Sequence, residues 1–288
     1  MKKIFYFAAA MTVAMFVSCN KENTNTPEEQ GPQVTVATDA LVLHLPFEDG
    51  SVAVGEGVTF DSKKGSADFV DGFIGKAYSN TSADPATQAY LKYNLAATNA
   101  INSLKSFTFS AWVKRPALGS GAFFSVNGGT HDWGSTMQFF FDNSSTNEET
   151  GVTSQQFNGR IDTTVEENQL SLWPNVNGPE FAVTDKWFHV VRTYDAATSE
   201  WNVYVDGVKF PVENNIHMNG EAIFGDLNLQ GGTALYIGGW AAIIDGVNNQ
   251  GWMTYYNGQL DEVRIYNKAL TEKEIAQLNR EEKLINLN

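Results

Sequence analysis

Nine Asn-Gly or Asp-Gly dipeptides punctuate this 288-residue chain after Thr35, and short runs of β-branched and aromatic residues lie between them. They are Asp49-Gly50, Asp71-Gly72, Asn127-Gly128, Asn158-Gly159, Asn177-Gly178, Asp206-Gly207, Asn219-Gly220, Asp245-Gly246 and Asn257-Gly258. Such dipeptides tolerate the positive φ that tight hairpin turns and loops require. A parallel sheet needs long crossovers, usually helical, and the sequence contains no βαβ alternation to provide them. Two antiparallel sheets packed face to face are the arrangement that fits.

Strands are expected at 41–45, 89–93, 107–114, 122–126, 137–141, 159–163, 169–172, 188–194, 201–205, 208–211, 235–237 and 260–266. Aromatic residues at 12% against only 18% charged residues suit sheets with large packed faces. Asp206 reads as the turn residue of the hairpin Tyr204-Val205-Asp206-Gly207-Val208 rather than as a catalytic acid. Thr271 and Glu274 have capping-box spacing, and Leu270 and Ile275 can staple the chain entering a helix. That short C-terminal helix is expected from about Glu272 to about Arg280.

The formal charge is −14, and without Lys2 and Lys3 the chain carries 17 basic and 33 acidic residues, or −16. Such a surface repels phosphate backbones, so nucleic acid is excluded as an expected partner. The single cysteine, Cys19, follows Lys2-Lys3, an apolar run from Ile4 to Val17 and the small residue Ser18. This order describes a secretory signal, and the apolar run is shorter than the roughly 20 residues of a spanning helix. Phe16-Val17-Ser18-Cys19 resembles the bacterial lipobox. The resemblance implies a signal peptide over 1–18 and lipidation of Cys19, which anchors the chain to a membrane without a spanning segment. Residues 19–34, polar and containing Pro27, Gly31 and Pro32, have the composition of a flexible tether. The expected location is therefore secreted and lipid-anchored at the bacterial cell envelope, at the outer membrane, with the membrane face left open.

Seven segments between residues 41 and 278 resemble, in order, the laminin-G-like domains of the concanavalin A-like lectin and glucanase superfamily. They are Leu43-His44-Leu45-Pro46-Phe47-Glu48-Asp49-Gly50, residues 69–77, Ser106 to Val113, Trp187 to Val191 with Tyr194-Asp195, Tyr204 to Gly207, Tyr236 to Gly239 and Gly258 to Tyr266. The resemblance implies one all-β jelly-roll sandwich over 35–288 whose first and last strands lie side by side. It also implies a carbohydrate- or protein-binding role, with Trp112, Trp187 and His189 as core positions. Many such domains hold a structural calcium ion, and by that resemblance Glu48, Asp61 and Asp261 are the expected metal ligands, oxygen donors of the kind a hard cation takes. No organic cofactor is implied.

Glycosidases of this sandwich carry paired carboxylates in a Glu-x-Asp-x-x-Glu pattern, which is missing here. Their chemistry needs two carboxyls about 5 to 9 Å apart. Glu148-Glu149, Glu166-Glu167 and Asp261-Glu262 are adjacent pairs, whose side chains on a regular strand would point to opposite faces. The four histidines show no metal-ligand spacing, and of these His131, beside Asp132 and Trp133, stands best to touch a ligand. Sugar capture needs flat apolar surfaces with amides nearby. Two long excursions qualify: 128–183 with Trp133 and Trp173, and 239–257 with Trp240, Trp252, Tyr255 and Asn248. The expectation is a non-catalytic carbohydrate-binding module that captures glycan or glycoprotein through these residues. A structural or adhesive protein-binding lipoprotein is the alternative, followed by a concanavalin A-like glycoside hydrolase.

Overall fold

The architecture follows from aromatic alternation: in strand after strand one face carries Phe, Tyr, Val or Leu toward a shared interior. In the computed structural model the described residues are 32–287, except 83, 85, 129–133, 166–167, 212–224 and 230. The signal segment, Cys19 and the tether up to Gly31 thus lie outside them, as do His131, Trp133, Glu166-Glu167 and Asn219-Gly220. In chain order the strands are β1 (Leu41–Leu45), β2 (Val58–Gly65), β3 (Ala67–Asp71), β4 (Lys76–Asn80), β5 (Ala89–Leu95) and β6 (Phe107–Lys114). They continue with β7 (Gly121–Asn127), β8 (Ser135–Thr146), β9 (Thr153–Val165), β10 (Asn168–Leu172), β11 (Asn175–Gly178) and β12 (Phe188–Asp195). Next come β13 (Glu200–Val205), β14 (Val208–Lys209), β15 (Ala234–Ile237), helix α1 (Ala241–Ile244), β16 (Gln259–Tyr266) and helix α2 (Glu272–Asn286).

Two eight-stranded sheets result. The first runs β14-β13-β12-β6-β16-β4-β3, with β1 also on β16, and the second runs β10-β9-β8-β7-β15-β5-β2, with β11 also on β9. Every ladder between these strands is antiparallel. The all-β sandwich is therefore as expected, and the first and last strands do meet, Leu43 opposite Ile265. Four strands, β2, β3, β4 and β11, were not expected from the sequence. They are short, polar or exposed: in β2 only Val58 is buried, and Asp61, Lys63 and Lys64 leave no apolar alternation to read.

The interior is built on aromatic pairs across the sheets. Phe109 of β6 stacks on Phe139 of β8 with centroids 4.2 Å apart, and Phe123, Phe141 and Phe157 continue the layer. Asn158-Gly159 proves not to be a turn: it lies inside β9, opposite Phe140 and Phe139. A Cβ on Gly159 would meet the Phe139 ring at 3.0 Å and Arg192 Cδ at 3.1 Å, so close packing is what requires glycine there. Asp206 is a turn residue as expected, with φ of 50° between β13 and β14.

A second apolar cluster joins α2 to the outer face of the first sheet, with Ile275 and Leu278 against Val191, Tyr204 and Tyr266. The capping box is present, Thr271 accepting from Glu274 N and Glu274 from Thr271 N. Thr271→Ala is expected to cost about 1 kcal/mol, measured as a shifted urea midpoint; an unchanged midpoint would mean that the cap contributes nothing. The helix runs six residues past its expected end at Arg280. Glu282, wholly buried beneath it, anchors the extra turn by accepting from Trp112 Nε1 at 2.8 Å and pairing with Arg264.

Candidate functional site

Strands β8 and β9 set the site by alternation. Met137, Phe139 and Phe141 face the interior, so Gln138, Phe140 and Asp142 face outward; opposite them β9 turns out Asn158 and Arg160, paired in register with Phe140 and Gln138. On this outer face Phe140 packs on Trp240 at 4.7 Å and on Trp173 at 6.4 Å. Trp240 in turn meets Trp252 edge-on at 5.4 Å. The result is one aromatic row, Trp173–Phe140–Trp240–Trp252, whose two ends reach solvent at 44% and 39% exposure.

The middle of the row is structural. Trp240 is fully buried, and its Nε1 donates to Thr254 O at 2.7 Å, so its ring holds the 239–257 loop down and offers no face to a ligand. Tyr255 is also buried, stacked on Tyr90 at 6.2 Å and accepting from Gln88 Nε2. Asn248 is half-buried, and its Oδ1 accepts from Gln250 Nε2. Of the six expected ligand-binding residues, Trp173 and Trp252 present an exposed ring. Trp133 lies outside the described residues.

Beside Trp252 lies a cleft of about 360 Å³. Arg115, Leu118, Ser120, Asn143, Thr254 and Asn257 share its lining with Trp252. Its polar groups are fixed in place: Ser120 Oγ donates to Asp142 Oδ1 at 3.2 Å, and Thr254 Oγ1 donates to Ser120 O. Asn143 is exposed and Asn257 half-buried, so two amides stand beside an indole face. On the outer face of β8 and β9, the amide of Asn158 and Nε2 of Gln138 are buried with no hydrogen-bond partner among the described residues. Gln138, Asn158 and Arg160 had not been read as site residues. The available signal was polar residues at alternating positions of otherwise aromatic strands.

The expected calcium set is not brought together. Glu48 Oε1 accepts from Lys76 N at 2.7 Å and Asp261 Oδ2 from Ile74 N at 2.8 Å, so both acids clamp the hairpin loop between β3 and β4. Asp61 belongs to the other sheet, bonded to Ser62 and Asn94. Among the described residues no three His, Cys, Asp or Glu side chains form a group able to hold a metal ion.

Asp261 and Glu262 do not sit on opposite faces of a regular strand. The ladder to β6 shifts register between Asp261 and Arg264, and Glu262 takes a φ of 51°, so both acids are buried, Asp261 against the loop after β3 and Glu262 beside Arg264 in the polar layer under α2. Burial, then the Glu262 charge beside it, pushes the Asp261 carboxyl up to about 9. Burial also acts to raise Glu262, but the Arg264 charge and the His44 hydrogen bond outweigh it and hold that carboxyl below its ordinary value. Asp261 thus holds the loop after β3, while Glu262, with His44 and Arg264, lines a cavity of about 290 Å³.

The raised Asp261 value has a measurable sign. The folded state keeps this proton to higher pH than the unfolded chain, so its contribution is full below about pH 4 and is lost as pH rises through about 9. Asp261→Asn is expected to remove that slope, so its unfolding free energy should gain on the wild type between pH 5 and pH 9. Parallel curves for the two proteins would remove Asp261 as the source.

A family model described as the concanavalin A-like lectin/glucanases superfamily matches residues 85–276. No curated protein matches in sequence. Among solved structures, the binding domain of botulinum neurotoxin DC in complex with rat synaptotagmin II is similar at TM-score 0.52 and 13% identity, over 84% of this chain and 51% of that one. The receptor binding domain of botulinum neurotoxin mosaic serotype C/D gives 0.54 and 11%, again over 84% and 51%. The binding domain of Paraclostridial Mosquitocidal Protein 1 gives 0.51 and 16%, over 84% and 52%. The chain thus spans about half the length of these solved chains, and at such identity the likeness is one of fold.

Proposed function

The chain belongs to the concanavalin A-like lectin/glucanases superfamily, and from that premise we propose that it is a non-catalytic module that captures glycan at a bacterial cell envelope. The observation that carries the reading is the Trp252 ring, 39% exposed on the rim of a cleft that also presents Asn143 and Asn257. An indole face covers the apolar face of a pyranose, and amides bond its hydroxyls. The fixed positions of Ser120 and Thr254 favour a pre-formed cleft, which lowers the entropic cost of binding.

Anchoring belongs to the same proposal. Cys19, lipidated after removal of residues 1–18, would hold the module on the outer membrane through the tether. Incorporation of labelled palmitate into the wild type but not into Cys19→Ala tests it, and equal labelling overturns it. For binding, a glycan array and affinity gels should show capture that Trp252→Ala weakens strongly. Absence of binding to any glycan, with capture of a purified glycoprotein after its glycans are removed, would replace this reading with that of a protein-binding adhesin.

A further inference from the structure

At the end of the first sheet, strands β4, β6 and β16 terminate around a second cavity of about 200 Å³. Register places Gln259 opposite both Ser79 and Lys114, so the residues that follow, Asn80 and Arg115, arrive at the same rim. Three polar atoms of these lining residues are buried without a hydrogen-bond partner among the described residues: Arg115 Nη1, Asn80 Nδ2 and Gln259 Oε1. Arg115 is 2% and Asn80 6% exposed. Buried polar groups are ordinarily paired, so three orphans around one cavity need an explanation.

Neither long side chain is free to turn away. Arg115 is held by Nη2 donating to Phe181 O and Nε donating to Val183 O at 3.3 Å, with its guanidinium 3.9 Å over the Phe141 ring. Asn80 Oδ1 accepts from Ser66 Oγ at 2.7 Å and from Ser82 N at 3.0 Å, which fixes the amide so that Nδ2 is the unpaired end. Burial pushes the Arg115 guanidinium down to about 10, with only the Tyr256 phenol acting the other way, the behaviour of a cation with no carboxylate beside it. Lys114, half-buried, adds a second cation, and Asp185, exposed, is the acid among the lining residues.

We propose that this cavity is a binding subsite for a hydroxylated carboxylate, the uronate residue of an acidic saccharide, with Arg115 and Asn80 donating to the carboxylate and Gln259 accepting from a hydroxyl. An arginine held by two carbonyls retains a donor in fixed orientation, and charge-assisted bonds to a carboxylate are about twice as strong as neutral ones. A neutral sugar would leave the buried guanidinium without its counter-charge, and a bare carboxylate would leave Gln259 Oε1 without its donor. The site rests on the reading of the chain as a glycan-binding module; Arg115 also lines the Trp252 cleft, whereas Asn80 and Gln259 line this cavity and not that one.

Titration of the full chain by NMR or calorimetry with galacturonate, galactose and acetate tests it. Galacturonate is expected to bind at least tenfold more tightly than either of the others. Gln259→Leu and Arg115→Lys should each abolish that preference while Trp252→Ala leaves it intact, with thermal midpoints confirming that the variants fold. Gln259 is half-buried and its Oε1 supports nothing else, so its variant separates recognition from stability. Galactose or acetate bound as tightly as galacturonate, no binding of galacturonate, or a preference unchanged in Gln259→Leu would each overturn the subsite. Neutral-glycan capture lost in Trp252→Ala alone would then leave the proposed function standing without it. Galacturonate held by the cavity while Trp252→Ala changes nothing would do the reverse.

Discussion

Arg264→Met is expected to cost about 3–5 kcal/mol of stability, the penalty for removing one partner from a buried ion pair. Arg264, Glu262 and Glu282 have side chains exposed by 4%, 5% and 0%, and Arg264 bonds both carboxylates. Burial opposes the Arg264 charge, and Glu282 and Glu262 outweigh it, so the cation is held above its ordinary value. Without it, two acids remain under α2 with His44 at 2.8 Å from Glu262 and His189 at 3.6 Å from Glu282. At roughly 2–4 °C per kcal/mol for a domain of this size, the thermal midpoint should fall by at least about 6 °C. The stranded carboxylates bind protons more tightly in the folded variant than when unfolded, so the deficit should shrink as pH falls toward 5. A companion triple variant, Arg264→Met with Glu262→Leu and Glu282→Leu, should recover most of the loss, because no charge is then left without a partner. A loss below about 1 kcal/mol at pH 7 would mean that the layer under α2 is effectively solvated.

The largest expected effect on function is that of Trp252→Ala on glycan capture. Burying a large apolar side chain contributes roughly 1.5–3 kcal/mol, which corresponds to about ten- to a hundredfold in Kd. Trp173→Ala at the other end of the row should weaken only ligands long enough to span both rings, so its effect should grow with oligosaccharide length. Because Trp252 also packs edge-on against Trp240, Trp252→Phe is the needed control and should restore much of the affinity. Affinity electrophoresis over a length series reads both effects. An unaltered Kd in Trp252→Ala would place recognition away from this ring.

The strands with the strongest apolar runs were legible, and the reason is local. β6 reads Phe-Thr-Phe-Ser-Ala-Trp-Val-Lys, and its observed bounds are those expected. β2 escaped notice because an edge strand needs no buried alternation, and Asn158-Gly159 misled because a close approach by Phe139 and Arg192 demands glycine as firmly as a turn does. At the site, exposed tryptophans could be nominated from loop composition but not sorted. What separates Trp252 from Trp240 is the outward Phe140 of a distant strand, which the loop's own residues do not reveal, and the carbonyl of Thr254, which only the folded loop brings to Trp240 Nε1. The bulge at Asp261 and Glu262 likewise depends on the partner β6, so no reading of β16 alone could place two neighbouring acids together in the interior. Glu48 and Asp261, expected from the resemblance as metal ligands, both accept from backbone N–H of residues 74–76 after β3.

The placement of β16 between β6 and β4, with β1 beside it, also sets the order of events when the chain is made. Leu43 must wait for Ile265, roughly 220 residues later, before β1 has its partner. A sheet whose central strand is the last to emerge cannot be completed piece by piece behind the ribosome. Closing so long a loop makes folding slow, and until then β6 and β4 present open edges. The half-made chain is thus the vulnerable species, and a chaperone that shields those two edges would do more for yield than any gain in the stability of the finished sandwich.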